Sequence, residues 1–206
     1  MKPGAFIFAA ALVLFSCKNE DKETTSTTDT LGNLTDTSLT RIDSPSMNDT
    51  MPIPMVNHAS ATLSATYPDT TLSGEARFDL DSATGQVKMR LNLAIPAKAG
   101  KSVAVHIHEH GDCGDKGNMA HGHWNPTNEA HGKWGSSAYH SGDIGNVKLD
   151  KSGNGSLTLT TDRWTLGGTA DKNILRKALI VHGGADDFKT QPTGNAGSRI
   201  GCGIIQ

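Results

Sequence analysis

The sequence predicts an all-β domain, a sandwich or barrel of roughly eight short strands, on three observations. Aromatic residues make up 5% of the 206-residue chain and glycines number 23, which suits turn-rich β structure better than packed helices. Apolar and polar residues alternate with period two in several stretches, and no stretch carries a long, capped helical period. Clusters of Gly, Asn, Asp and Ser separate those stretches as turns.

The N-terminus stands apart from this pattern. Lys2 precedes an uninterrupted apolar run from Ala5 to Phe15. A spanning helix needs about 20 apolar residues, so the shorter run reads as the core of a secretory signal peptide. It ends in Leu14-Phe15-Ser16-Cys17, which is similar to a bacterial lipobox. Residues 1–17 therefore read as a lipoprotein signal peptide, with cleavage before Cys17 and lipidation of its thiol. The expected location is the cell envelope: an exported chain held at the membrane through an N-terminal lipid anchor, on the periplasmic or surface side. Residues 18–57 are rich in Thr, Ser and Asp, and Glu20, Asp21, Glu23, Asp29, Asp36, Asp43 and Asp49 outnumber Lys18, Lys22 and Arg41. Such a segment buries too little apolar surface to order itself and reads as a disordered tether, closed by Pro52 and Pro54.

The folded domain is expected over residues 58–206. Ser73 to Leu80 and Gln86 to Ile95 alternate, with Arg77, Lys88, Arg90 and Asn92 out of phase with Phe78, Val87, Met89, Leu91 and Leu93. Asp81 to Gly85 links them as a hairpin loop. Val103 to His108 is a further strand. Val147 to Leu149 and Ser156 to Thr160 flank Ser152-Gly153-Asn154-Gly155 as a second hairpin. Ala178 to His182 and Ile200 to Ile205 complete the set. Two long loops, about 109–143 and 183–199, are crowded with Gly, Asn, Asp and His, and loops of that length in a compact domain usually carry function or are disordered. The formal net charge is −2 and no Lys/Arg run occurs, so no nucleic-acid partner is expected. Of the three cysteines, Cys113 and Cys202 remain to pair if Cys17 carries lipid, and an exported protein can pair them.

The histidines carry the chemistry. Nine are present and seven fall between His106 and His140. His106 and His108 are two apart on a strand, so both rings can reach one ion. His123, His131, His140 and Asp143 supply three imidazoles and a carboxylate, a sufficient tetrahedral set for zinc. His182 ends an apolar strand and could add a nitrogen to the His106/His108 pair. An all-nitrogen site suits copper(II).

Five segments together resemble the copper/zinc superoxide dismutases in order and spacing: His106 to Asp112, His123 to Pro126, His140 to Asn146, Val181 to Asp187 and Gly194 to Cys202. The likeness covers nearly all of the chain from residue 58. It implies an eight-stranded Greek-key β-barrel or sandwich, immunoglobulin-like, with two long functional loops. It implies copper on His106, His108, His123 and His182, and zinc on His123, His131, His140 and Asp143. Asp186 matches the carboxylate that links a copper histidine to a zinc histidine, Arg199 the arginine beside copper, and Cys113 and Cys202 the family disulfide. The implied activity is dismutation of superoxide anion to dioxygen and hydrogen peroxide by copper redox cycling, with zinc structural and with Arg199 and His123 catalytic. His123 would bridge the metals and carry a proton between half-reactions. The alternative is a non-enzymatic copper/zinc-binding envelope lipoprotein on the same scaffold. The segment Asp187 to Thr193 is short and carries one basic residue, Lys189. His110 and His121 are additional to the ligand set and read as solvent-facing, with metal gathering or competition for a ligand position as the alternatives. Dimer contacts differ across the family, so both monomer and homodimer stay open.

Overall fold

The computed structural model describes residues 52–206; the signal segment, Cys17 and tether residues 18–51 lie outside the described residues. Period-two alternation builds the first sheet. Strand β2 (Ser73–Asp81) turns Ala76 and Phe78 inward, and β3 (Gln86–Ala94) does the same with Val87, Met89, Leu91 and Leu93. Asp81 shapes the turn between them: its carboxylate accepts from Ala83 N–H and Thr84 Oγ1–H, and its carbonyl accepts from Gly85 N–H. β1 (His58–Ala65) pairs along β2 and, at Ser64 and Ala65, with β8 (Arg199–Ile204). It completes the eight, although its alternation is mostly alanine against Ser and Thr and gives little sequence signal.

The remaining strands are β4 (Ser102–His108), β5 (Gly145–Lys148), β6 (Asn154–Thr161) and β7 (Ala178–His182). All pairings are antiparallel, in the order β5-β4-β7-β8-β1-β2-β3-β6. The end strands β5 and β6 are joined by a tight turn, in which Asp150 N–H donates to Asn154 O at 2.7 Å, so the sheet curls into a nearly closed barrel. The β3-to-β4 connection skips over β6 and β5, which makes the winding a Greek key. Among the described residues, helix is limited to two short 3-10 segments, Pro96–Lys98 and Asp115–Ala120.

The core fills the barrel. Trp164, from the loop between β6 and β7, is fully buried, meets Phe78 edge-on at 6.2 Å and donates its indole N–H to Ser141 O at 2.8 Å. Ahead of β1, Ile53 bridges Gly168 and Val56 N–H donates to Leu166 O. β4 and β7 are buried on both faces. Val103, Val105, Ile107, Leu179 and Val181 face the core, while Ala178 and Ile180 join Ala120 and Cys202 in a small apolar cluster outside the wall. The long loops lie on that outer face.

Candidate metal centre

β4 fixes the first two rings. His106 and His108 share its outer face in phase with Ala104, and both are fully buried. β7 brings His182 to the same face. The loop segment around His123 is laid along β4 by backbone bonds: His108 and His123 form an antiparallel bridge, Trp124 N–H donates to Ile107 O, Ile107 N–H to Gly142 O, and Gly142 N–H to Trp124 O. These contacts carry His123, His140 and Asp143 into register beside the strand.

Two donor sets result, sharing one residue. His106, His108, His123 and His182 form one; His123, His131, His140 and Asp143 form the other; within each, the ligand atoms lie within 4.8 Å of one another and every residue is buried. His123 is the shared member. In the first set, His106 Nδ1 and the Nε2 atoms of His108, His123 and His182 are buried without any hydrogen-bond partner. Their opposite nitrogens are committed. His108 Nδ1–H donates to His121 O at 2.8 Å, His182 Nδ1–H to Gly197 O at 3.2 Å and His106 Nε2–H to Asp186 at 2.9 Å. That fixes the tautomers and leaves four lone pairs aimed at a common space. Buried acceptors left unpaired cost about 1–3 kcal/mol each, so this arrangement fits a bound ion that takes nitrogen ligands.

Electrostatics keeps those lone pairs available. Burial, and then the neighbouring imidazoles, push His108 down to about 2 and His182 down to about 3, and the Arg199 charge adds to both. Burial lowers His123 to about 4 despite the Asp143 carboxylate on its other side. These rings are neutral at pH 7 and present nitrogen rather than N–H.

The second set surrounds Asp143. Its carboxylate lies 2.8 Å from His123 Nδ1, 2.9 Å from His131 Nδ1 and 3.2 Å from His140 Nδ1. His131 shows that a cation belongs here. Its Nε2–H donates to Asp186 at 2.9 Å, so in the neutral ring Nδ1 turns a lone pair toward Asp143. Only a proton or a metal between them removes that repulsion. Burial opposes protonation, yet Asp143 and Asp186 outweigh it and lift His131 to about 9. Burial works against the Asp143 charge, but its three histidines hold it far below the ordinary carboxylate range. Three imidazoles and one carboxylate fit zinc.

Asp186 spans both sets, one oxygen on His106 and the other on His131. Asn146 pins it, accepting from Asp186 N–H at 2.8 Å and donating to Asp186 O at 2.9 Å. Arg199, half-buried at the start of β8, donates Nη1 to Gly117 O and Nη2 to His121 O, both at 2.6 Å. Those carbonyls belong to the loop that the Cys113–Cys202 disulfide ties to β8. Thus every site residue singled out in the sequence within residues 52–206 lies in this one region. The sequence reading missed the residues that hold the loops: Asn146; Gln191, whose side chain bonds the His131 backbone in both directions at 2.9 Å; and Arg163, which clamps Glu129 through two nitrogens. The only signal for them is the residue type, a donor or acceptor in a loop-facing position.

Comparison with known proteins gives a consistent picture. A family model for copper/zinc superoxide dismutase matches residues 72–205. The chain is 37% identical over 134 residues to Cu-Zn superoxide dismutase 2 of Aquifex aeolicus, an alignment covering 62% of this chain and 77% of that protein. It is 32% identical over 142 residues to an extracellular Cu-Zn superoxide dismutase of Caenorhabditis elegans, covering 66% and 62% respectively. The crystal structure of the clock protein EA4 superposes with a TM-score of 0.63 at 30% identity, over 74% of this chain and 95% of that one.

Proposed function

Because the chain belongs to the copper/zinc superoxide dismutase family, we propose that the two fused donor sets are its catalytic centre, with copper on His106, His108, His123 and His182 and zinc on His123, His131, His140 and Asp143. The activity is that of a superoxide dismutase: two superoxide anions and two protons give one dioxygen and one hydrogen peroxide. Bound copper supplies the one-electron chemistry, and zinc, with a single accessible oxidation state, supplies fixed charge.

The observation that carries the residue assignment is His123, one imidazole whose Nε2 faces one set and whose Nδ1 faces the other. It can hold a proton at Nε2 while Nδ1 stays in place beside Asp143, and then give that proton to the departing peroxide. Asp186 keeps His106 and His131 in the tautomers that each set requires. Arg199 receives the anion. Two carbonyls fix its guanidinium, which directs its remaining donors and its charge at an incoming superoxide.

The full chain, loaded with copper and zinc, is expected to remove superoxide. His123→Ala is expected to abolish that activity while the barrel stays folded, and undiminished activity in the variant would overturn the assignment. The reading extends to the N-terminus. Residues 1–17 act as the signal, Cys17 carries lipid, and the residues that follow, up to the pairing of Ile53 with Gly168, tether the domain in the envelope. The apolar run and the lipobox-like Leu14 to Cys17 support it. The exported chain should partition into a detergent phase, and Cys17→Ser should stay aqueous; identical partitioning of the two would remove the anchor.

A further inference from the structure

Outside both buried sets, three side chains converge on the surface. Glu109, His110 and His121 each offer a ligand atom, these atoms lie within 4.8 Å of one another, and all three residues are exposed. Backbone pairing puts them there. Beyond the end of β4, Glu109 N–H donates to Gly122 O at 3.1 Å and His110 N–H to Ala120 O at 3.2 Å, which extends the His108–His123 bridge outward. The His110 and His121 rings meet with centroids 4.5 Å apart. His121 holds φ 61° and ψ −143°, a conformation that suits glycine. Keeping a side chain there costs about 1–3 kcal/mol, so the ring is present at the backbone's expense.

The two buried sets are complete with four donors each and use none of these residues. Two imidazoles and one carboxylate are the donor mixture of zinc and copper(II) sites, whereas calcium and magnesium take oxygen ligands. We propose that Glu109, His110 and His121 form a third metal site, an open surface site for a zinc or copper(II) ion at the rim of the copper pocket. Three protein donors leave a coordination position to water, so the ion exchanges readily. The ammonium of Lys177 lies 3.4 Å from Glu109 O and within electrostatic reach of the Glu109 carboxylate. It opposes a second cation, so this ion is held more weakly than the buried pair.

The rim position links the site to the centre. The His121 carbonyl accepts from His108 Nδ1–H at 2.8 Å and from Arg199 Nη2–H at 2.6 Å. An ion on the His121 ring therefore acts on the residue that orients both a proposed copper ligand and the superoxide-binding arginine.

Counting a third ion rests on the buried sets holding two, so the full chain is first saturated with copper and zinc, and its tightly held metals are measured. Copper(II) chloride is then titrated in and followed by equilibrium dialysis and electron paramagnetic resonance. The expected result is one additional equivalent with its own copper(II) signal. His110→Ala and His121→Gly should each remove that equivalent, and the two buried equivalents should remain in His110→Ala. Glycine suits the backbone at 121, so that variant tests the ring without disturbing the fold. No additional equivalent in the wild type, or an additional equivalent that survives in both variants, overturns the proposal. Failure to find two tightly held metals would instead overturn the buried assignment, because the weak surface equivalent would still vanish with His110.

Discussion

Replacing Asp186 with asparagine removes a charge and an acceptor from a carboxylate that holds two histidines, His131 on Oδ1 and His106 on Oδ2, both at 2.9 Å. The amide oxygen can serve one ring. The amide N–H₂ then faces the N–H of the other, and that ring must turn or change tautomer, which takes its Nδ1 lone pair from the metal side. The backbone decides which ring yields. His106 is locked in β4, opposite Ile180 of β7, whereas His131 sits in a loop secured by Gln191. The zinc set should lose its geometry first. A hydrogen bond to a charged group is worth about 1.5–3 kcal/mol. At about 1.4 kcal/mol per tenfold, that is roughly 10- to 100-fold in zinc affinity, the range typical for carboxylates behind metal-binding histidines. Chelator competition on Asp186→Asn measures it, with copper affinity expected to fall less. Gly194→Ala offers an independent route. A methyl there would lie 1.8 Å from Asp186 Oδ1 and 2.6 Å from His131 Nε2, at φ 67°, and so should weaken zinc with the charge intact. Wild-type zinc affinity in both variants, or copper lost before zinc, would refute the reasoning.

Two further outcomes follow from the supports of the loops. Arg163 donates to both Glu129 oxygens, at 2.6 and 3.2 Å, and its guanidinium covers the Tyr139 ring at 4.1 Å, so Arg163→Ala should cost about 1 kcal/mol of stability. The Arg163 hydrogen bond holds Glu129 below the ordinary glutamate range. Its contribution is therefore complete above about pH 4.3 and is lost as pH falls through the folded value, so the melting-temperature gap between wild type and variant should close on acidification. Replacing Cys113 and Cys202 together by serine opens a link between residues 89 apart. By loop-closure entropy that should cost about 4–5 kcal/mol in urea unfolding, and a loss under 1 kcal/mol, about a quarter of it, would show that the unfolded chain is not the state being constrained.

Legibility in the sequence followed the range of the interaction. β2, β3 and β6 announce themselves because Leu, Met and Val alternate with charged and hydroxyl residues within a few positions. β1 does not, because its inward residues include Ala59 and Ala61, too small to stand out against Ser60 and Thr62. The donor residues were legible because histidine is scarce and the His106/His108 spacing has a geometric meaning on a strand. The resemblance in motif order then divided them between two ions. The supports were not legible: Arg163 reaches Glu129 across 34 residues, Asn146 reaches Asp186 across 40 and Gln191 reaches His131 across 60, and no local period encodes such pairs. The backbone carbonyls of Gly117 and His121 on Arg199 leave no trace in residue identity at all.

The division of the centre between wall and loop explains why it needs Asp186. All four nitrogens proposed for copper come from strands or from a segment bonded to one, with His106 and His108 on β4, His182 at the end of β7 and His123 bridged to β4, so the barrel sets their positions before any ion arrives. Of the other donors proposed for zinc, His140 and Asp143 are carried beside β4 by the Gly142 backbone bonds, whereas His131 lies further out in the loop, held by Gln191 and the carboxylates. The His131 end of the loop would drift from that frame if the shared ring were its main link to the strand histidines, since one ring can rotate about its own bonds. The Asp186 carboxylate adds a second connection from the opposite side, running from a strand histidine to a loop histidine. Two connections fix an orientation where one fixes only a distance. That is what the shared imidazole must have if, as proposed, its Nε2 is to gain and lose a proton while its Nδ1 stays where it is.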